Sequence, residues 1–346
     1  MMVSVNAAGW EFWRCHELPE STADRIGIMA ALVVLAMTDY SREVTSPMVG
    51  QATPRRRRRS GSTSLQFGDY RILGIISRGG TSGVYLGAHV ATHERRALKI
   101  LDPVWHKHTD IIDRLFAEHQ VASSVSHPGL LEIESFGRAP DGTPYLVMEL
   151  LDGENLGELV ERGRVVTGAI AAIGAQVADA VSAMHDRDIV HCDIKPDNVF
   201  LLYERGLEGW PRIKVIDFGV SQRPDGNRSD AIAGTPSCMA PEQWRGAPTA
   251  KSDVYALGCL LYWLVTGAPP FIGPLPQLML SHSNVLPERP SEKRELPAEL
   301  ERVIMRSLAK DPAMRPTMRE LARDLSALAA QYPTGDVSQL LEVAAG

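Results

Sequence analysis

The stretch Ile189–Phe200, IVHCDIKPDNVF, sets Asp193, Lys195 and Asn198 at intervals of two and three residues between apolar segments. It reads as a tight loop that holds a carboxylate, an ammonium and an amide close together. Downstream, the run IKVIDFGV ends an apolar strand pattern in Asp217-Phe218-Gly219. Asp and Asn side chains on two neighbouring loops supply hard oxygen ligands of the kind Mg²⁺ takes when it also holds phosphate oxygens, and Asn198 and Asp217 suit that task. Asp193 can then orient a hydroxyl and accept its proton, while Lys195 neutralises charge on a transferring phosphoryl group. Positioning and electrostatics of this sort are what phosphoryl transfer asks of a protein.

Around this loop the composition is that of an ordinary globular chain: 346 residues, 44% hydrophobic and 23% charged, enough for two lobes with substantial cores. Four cysteines, Cys15, Cys192, Cys238 and Cys259, are scattered without C-x-x-C spacing, so neither a zinc site nor a disulfide framework is expected and a cytoplasmic location is. Residues 1–66 hold eight basic and six acidic residues, a net +2, so the remainder carries −8 of the overall −6. An acidic remainder argues against nucleic acid as a partner.

The first 66 residues show no sustained period and close in the run TPRRRRRSGSTS, which reads as a linker, so a boundary falls near Phe67. Within them IGIMAALVVLAM, residues 26–37, is too short for a membrane span, which needs about 20 apolar residues, and acidic Glu11, Glu17 and Asp24 precede it in place of a basic leader. A short buried or interfacial helix is expected there, and no transmembrane segment. Arg55 to Arg59 read as a solvated tether, with attraction to an anionic surface or an acidic partner as the alternative. Translation from Met48 is a further alternative.

From Phe67 onward the periodicity predicts two lobes. YRILGII, GVYLGAHV and RALKIL form a three-strand antiparallel meander between Tyr70 and Leu101. Asp110 to Val125 has helical spacing with Ile111, Leu115 and Ala122 on one side, stopped by His127-Pro128. Two further strands, LLEIESFGR and TPYLVMELL, flank the turn Pro140-Asp141-Gly142. Helical periods follow over Leu156–Arg162, Ala169–Arg187, Ser252–Thr266, Ala298–Leu308 and Met318–Leu328, with the join of the lobes near Glu149 to Gly153. The stretch 331–346 is read as a tail, and no sensor domain or span is expected after Leu328.

The order H-x-D-x-K-x-x-N, then D-F-G, then GTPSCMAPE at Gly234 to Glu242 resembles the eukaryotic-type protein kinase family, most closely its bacterial serine/threonine members, from about Asp69 to Leu328. The resemblance implies an α+β, bilobal fold: a small antiparallel-sheet N-lobe with one helix, residues 67–150, and a larger, mainly helical C-lobe, residues 151–330. It implies transfer of the ATP γ-phosphate to Ser or Thr hydroxyls of a protein substrate, with autophosphorylation. ATP and Mg²⁺ are the implied cofactors, with Mn²⁺ as a substitute. Residue by residue, Asp193, Lys195 and Asn198 match the catalytic positions, and Asn198 with Asp217 the metal positions. Lys99, in Ala97-Leu98-Lys99, matches the lysine on the nucleotide phosphates, and Glu118 its glutamate partner. Met148 matches the gatekeeper, the backbone of Glu149 and Leu151 the adenine partners, and Asn155 a ribose contact. Val84, Ala97 and Phe200 would sandwich the base, or are simply apolar core. Thr235 matches a position lining the substrate-hydroxyl pocket; Glu242 with Arg315, and Asp253, match structural positions.

Two departures stand out. In Ser77-Arg78-Gly79-Gly80-Thr81-Ser82-Gly83-Val84 only Gly79 and Val84 keep the register of G-x-G-x-x-G-x-V, and serines take the outer glycine positions. Serine is small enough to preserve much of the backbone approach that glycine permits, and Gly80 and Gly83 keep the turn permissive, so a working but looser clamp is expected. Cys192 stands where regulated relatives carry an arginine that binds an activation-segment phosphate. It reads as a small buried filler, with a reactive thiol beside Asp193 as the alternative, and it implies activity that depends little on such phosphorylation, although Ser221 and Ser229 remain available. A pseudokinase scaffold and a small-molecule phosphotransferase are the competing readings, the first motivated by both departures, the second by shared fold ancestry.

Overall fold

Alternation of apolar and polar residues from Gln66 to Met148 builds one antiparallel sheet: β1 (Gln66–Phe67), β2 (Tyr70–Arg78), β3 (Ser82–His89), β4 (Arg95–Leu101), β5 (Ile133–Arg138) and β6 (Pro144–Met148), in the spatial order β1-β2-β3-β4-β6-β5. This computed structural model describes residues 65–203, 210–219, 221, 234–333 and 339–341. The expectations for residues 26–37, Met48, Arg55 to Arg59 and Ser229 lie outside the described residues.

Two-residue periodicity gives β4 two distinct faces. Leu98 and Ile100 pack with Phe67, Tyr145 and Val147 in a small core of the N-lobe's own. Ala97 and Lys99 point to the opposite face, where they meet their cross-strand partners Leu86, Val84, Met148 and Leu146. One face of β4 therefore consolidates the lobe and the other is left for the cleft. The expected turn at Pro140-Asp141-Gly142 forms, with Gly142 N–H donating to the Ala139 carbonyl and Gly142 at φ +89°.

Helix α1 (Thr109–Ser124) lies between the two halves of the sheet in sequence, and its buried line is Ile112, Leu115 and Glu118. The expected line through Ile111 and Ala122 is displaced by one residue, both being only half-buried. The face is set by the need to bring Glu118 inward, which hydrophobic counting does not register.

The C-lobe is helical: α2 (Leu156–Arg162), α3 (Thr167–His185), α4 (Ala250–Thr266), α5 (Leu275–Asn284), α6 (Ala298–Ser307) and α7 (Met318–Ala329). Strands β7 (Gly153–Asn155), β8 (Val199–Leu202) and β9 (Ile213–Val215) make a second, three-stranded sheet beneath the cleft. Helix α4 starts two residues before the apolar period because Thr249 and Ser252 form a reciprocal capping box, and α7 opens with the same device in Thr317 and Glu320. Helix α5 was not anticipated; it carries only one fully buried residue, His282, and begins in Gly273-Pro274-Leu275-Pro276, which reads as loop. Proline is tolerated there because the first turn of a helix needs no N–H donors.

Helix α3 is the C-lobe's axle, buried over most of its length by α4 and α7. Among the described residues it is the one helix long and apolar enough to cross a membrane, and 72% of its apolar window is buried inside the protein. The stretch after α7 closes on its start: Leu340 is fully buried, its carbonyl accepts from Val166 N–H at 2.8 Å, and Leu341 bridges Val165. Arg294 donates to the Val165 carbonyl at 2.8 Å from the other side. Leu340→Ala should therefore destabilise the C-lobe by about 2–5 kcal/mol, as other buried leucines do; urea unfolding followed by circular dichroism measures it, and a change under 1 kcal/mol (about the noise of a surface substitution) would show that the segment is not part of the core.

Candidate active site

Because Ala97 and Lys99 share the cleft-facing side of β4, Lys99 can reach α1. Its ammonium lies 2.9 and 2.8 Å from the two Glu118 oxygens and 3.6 Å from Asp217 Oδ1. Burial opposes the charge on Lys99, but the two carboxylates more than offset it and hold the ammonium above the usual lysine range. The same ammonium pulls the Asp217 carboxyl below its ordinary range, against burial. Burial raises the Glu118 carboxyl, and Lys99 opposes that rise. One cation thus holds two carboxylates from different elements. Asp217 adopts a left-handed φ of +66° and accepts Gly219 N–H at 3.2 Å, which turns its side chain back towards Lys99.

The 191–198 loop hangs from helix α4. Asp253, fully buried, accepts His191 N–H and His185 Nε2–H on Oδ2 and Cys192 N–H on Oδ1, each at 2.8 Å. Asp193 then projects into a polar cluster. Thr235 Oγ1 donates to Asp193 Oδ1 at 2.6 Å, Lys195 Nζ donates to Thr235 Oγ1 at 2.8 Å, and Lys195 lies 3.1 Å from Asp193 Oδ2. Asn198 Nδ2 donates to the Asp193 carbonyl and to Asp193 Oδ2, both at 2.9 Å. Its amide N–H group is thus spent on Asp193, and among the described residues no donor is seen on Asn198 Oδ1, which suits that oxygen to an incoming cation. Ile216 N–H donates to the Asn198 carbonyl at 2.9 Å, which puts the strand leading to Asp217 directly beside Asn198. A neutral amide oxygen and an ionised carboxylate make a donor set that fits a hard divalent cation.

Cross-strand register places Val84 opposite Lys99, and Ala97 between Leu86 and Met148. Phe200 sits in the lower sheet, opposite Asn155 and Lys214. Between the sheets runs the hinge. Glu149 N–H is taken by the Glu132 carbonyl, so only the Glu149 carbonyl is left to face the cleft. Its carboxylate accepts Glu132 N–H at 2.7 Å and pairs with Lys214 at 2.5 Å, which pins the hinge from outside. Asn155 Oδ1 caps α2 by accepting Glu158 N–H at 3.0 Å, leaving its amide nitrogen for any ligand. Ser77 and Ser82 flank the β2–β3 turn, where Gly79 N–H donates to the Ser82 carbonyl at 2.8 Å. Gly79, Gly80 and Gly83 do not adopt positive φ, so their expected use as unusual dihedrals is not what the turn needs. At Gly83 a Cβ would stand 2.7 Å from the Tyr85 ring, so a larger residue there would have to displace that ring.

Cys192 is buried, with φ +69°, and burial followed by the charges of Asp253 and Asp193 drives its thiol well above the usual range. The reactive-thiol alternative therefore fails, since the thiolate is the nucleophile. Its carbonyl is engaged by Gln243 Nε2 at 2.8 Å, a contact that motif reading missed although Gln243 directly follows GTPSCMAPE. Gly234, at φ +124°, lets this segment approach: a Cβ there would lie 2.7 Å from the Cys192 carbonyl oxygen. The expected buried ion pair also forms, with Arg315 bidentate to Glu242 at 2.7 and 3.1 Å.

Comparison with known proteins agrees with this geometry. The family described as Protein kinase domain matches residues 70–325, and the chain belongs to that family. It is 37% identical over 258 residues to the serine/threonine-protein kinase Pkn1 of Myxococcus xanthus, covering 72% of this chain and 37% of that one. It is 34% identical over 269 residues to PknB of Mycobacterium tuberculosis, covering 74% of this chain and 42% of that one. The chain thus spans well under half the length of these curated relatives. The crystal structure of the Mycobacterium tuberculosis PknI kinase domain superposes with a TM-score of 0.60 at 28% identity, over 78% of this chain and 99% of that one.

Removal of the shared cation has a definite pH signature. In Lys99→Met, Glu118 loses the charge that opposes its burial, so its folded carboxyl pKa rises further above the unfolded value. Stability gained by protonating it is present at low pH and lost as pH rises through that folded value. The melting temperature of the variant should thus fall further below wild type between about pH 5 and pH 8; a pH-independent gap would mean that Glu118 is not left as an unpaired buried acid.

Proposed function

We propose that this chain is a serine/threonine protein kinase that transfers the γ-phosphate of ATP to hydroxyl groups of protein substrates and also phosphorylates itself. The observation that carries this reading is the cluster Asp193–Thr235–Lys195–Asn198, set within reach of the Lys99–Glu118–Asp217 triad. Lys99, held charged by its two carboxylates, suits the α- and β-phosphates. Val84, Ala97, Met148 and Phe200 offer apolar surface for the base, with Glu149 and Leu151 backbone and Asn155 at its edges. Ser77, Gly79, Gly80 and Ser82 form the turn that would cover the phosphates. Asn198 and Asp217 would hold Mg²⁺, which when bound neutralises charge on the phosphate oxygens.

The proton chemistry belongs to Asp193. A substrate hydroxyl entering the cluster replaces Thr235 as donor to Asp193 Oδ1, which orients the attacking oxygen and takes up its proton. Lys195 lies beside the same carboxylate and offsets charge that develops as the phosphoryl group moves. Thr235, bridging the two, keeps this space short and supports aliphatic hydroxyls over a phenol. The substrates are proteins carrying Ser or Thr, the domain acts in the cytoplasm, and Arg55 to Arg59 are a tether or a contact with an anionic surface. Cys192 offers no guanidinium for an activation-segment phosphate; the segment is held to the 191–198 loop by Gln243 instead, which supports activity without such a phosphate.

Radiolabelled ATP with the chain alone and with a Ser/Thr-rich protein tests the reading. Wild type should label both, Asp217→Ala should label neither, and Asp193→Ala should lose about 10²-fold or more; equal labelling by wild type and Asp217→Ala would sink it. Phosphatase-treated wild type should keep most of its rate on the protein substrate, and near-complete loss would place control back on a phosphorylated segment.

A further inference from the structure

Cross-strand register sorts the side chains of β2, which forms the edge of the sheet beyond the two residues of β1. Tyr70 and Ile72 turn to the sheet's outer face, away from Lys99, and lean on the small core of Phe67, Leu98, Ile100, Tyr145 and Val147. Leu65 joins them: its carbonyl accepts Ile72 N–H at 2.9 Å, which continues the pairing of Gln66 with Arg71 and of Phe67 with Tyr70. Further along the strand Ile75 stands opposite Tyr85, which packs on the same core. Leu65, Ile72, Ile75 and Tyr85 thus make an apolar strip at the margin of that core, and among the described residues nothing covers it: Leu65 is 59% exposed and Ile75 48%. The strip also touches the turn that would cover the phosphates. The Tyr85 ring folds back over Gly83, which pairs with Arg78 at the base of the β2–β3 turn.

Residues 1–64 join the described chain at Leu65, itself a member of the strip. They contain IGIMAALVVLAM, residues 26–37, a run without a single charge that gains by leaving water. Residues 38–64 separate it from Leu65, and a coil of that length spans about 30 Å, so the run is held at high effective concentration beside the strip. The exposed side chains of α5, Leu275 and Leu280, belong to the other lobe. We propose that residues 26–37 pack on the outer face of the N-lobe sheet against Leu65, Ile72, Ile75 and Tyr85, and that this intramolecular contact steadies the β2–β3 turn and tightens nucleotide binding. The nucleotide half of this proposal rests on the kinase reading above. An apolar segment laid on the strip holds the Tyr85 ring down on Gly83, and so restricts the arm of the turn that follows Ser82. The turn, with serines at its outer positions, is then braced from outside the cleft. Asp193, Lys195 and Asn198 lie in the other lobe, so the transfer step itself is left as it is.

The test uses the full chain. A photoreactive benzoylphenylalanine replaces the exposed Ile75 in an equal mixture of unlabelled and ¹⁵N-labelled chains, and cross-linked peptides are mapped by mass spectrometry. The expected product joins position 75 to residues 26–37 within chains of one isotope. Products of mixed isotope, which a second copy seated on the strip would give, or the absence of any product from residues 26–37, overturn the proposal. In parallel, Leu32→Asp combined with Leu35→Asp should speed amide exchange over residues 70–78 about tenfold or more. The same variant should bind a fluorescent ATP analogue at least about fivefold more weakly, with kcat on protein substrate unchanged. Exchange and affinity equal to wild type overturn the proposal. Ile75→Ser should give both changes from the other side of the contact, so misfolding of one variant leaves the other decisive. A chain that binds no ATP analogue would sink the kinase reading instead, and the cross-link and the exchange rates still decide the docking.

Discussion

A carboxylate with no exposed surface holds the site together. Asp253 sits on α4 in the middle of the C-lobe core, where an unpaired charge would cost several kcal/mol, and it is stable there because three donors converge on it: two consecutive backbone N–H groups of the 191–198 loop and the His185 imidazole. To present both N–H groups to one carboxylate the chain must turn sharply, and Cys192 takes the left-handed conformation at that point. Such a φ costs of order 1 kcal/mol for a non-glycine residue and persists only where surrounding contacts fix it. The side chains that follow, Asp193, Lys195 and Asn198, thereby take their positions from the core and not from a mobile loop.

The cleft's other wall depends on a second shared charge. Lys99 arrives from β4, Glu118 from α1 and Asp217 from the end of the strand run behind Asn198, so the three meet only when sheet, helix and lower lobe are in one arrangement. Burying such a triad contributes little net stability, because the desolvation of each ion offsets most of the attraction. Its value is conditional: the ammonium is poised between the two carboxylates only in this arrangement. Stability comes from elsewhere, from α3 and the helices around it, and from Leu340 returning to close the lobe.

What was legible in the sequence follows a physical line. Asp193, Asn198 and Asp217 could be named from the chemistry their side chains supply, Lys99 from the resemblance that the order of motifs carries, and the lobes because hydrophobic period reports which faces bury. The reading put Ile111 on the buried line of α1 where the structure buries Ile112, because α1 is oriented by an ion pair, which a hydrophobic period cannot see. Helix α5 was missed because it starts in a proline-rich stretch and buries little. Contacts between residues distant in sequence and carrying no motif, Gln243 to the Cys192 carbonyl and Leu340 to Val166, have no local signature at all; the first becomes visible only once the segment after GTPSCMAPE lies beside the 191–198 loop, the second only once the chain after α7 returns to the start of α3.

Two adjacent side chains tie the 234–242 segment to its surroundings where position 192 carries no arginine. Glu242 turns into the lobe, where Arg315 and the Ser252 hydroxyl at 2.6 Å take up its charge, and so anchors the segment to the core. Gln243, one residue on, donates to the Cys192 carbonyl and accepts Ala240 N–H at 3.1 Å, and so anchors the same segment to the 191–198 loop. An arginine at 192 would join loop and segment through a phosphate that has to be added; an amide joins them through groups that are always present. The change from guanidinium to thiol therefore moves the tie between the two elements from a modifiable contact to a permanent one, while the geometry of Asp193, Lys195 and Asn198, which takes its hold from Asp253 on the far side of the loop, is left as it is.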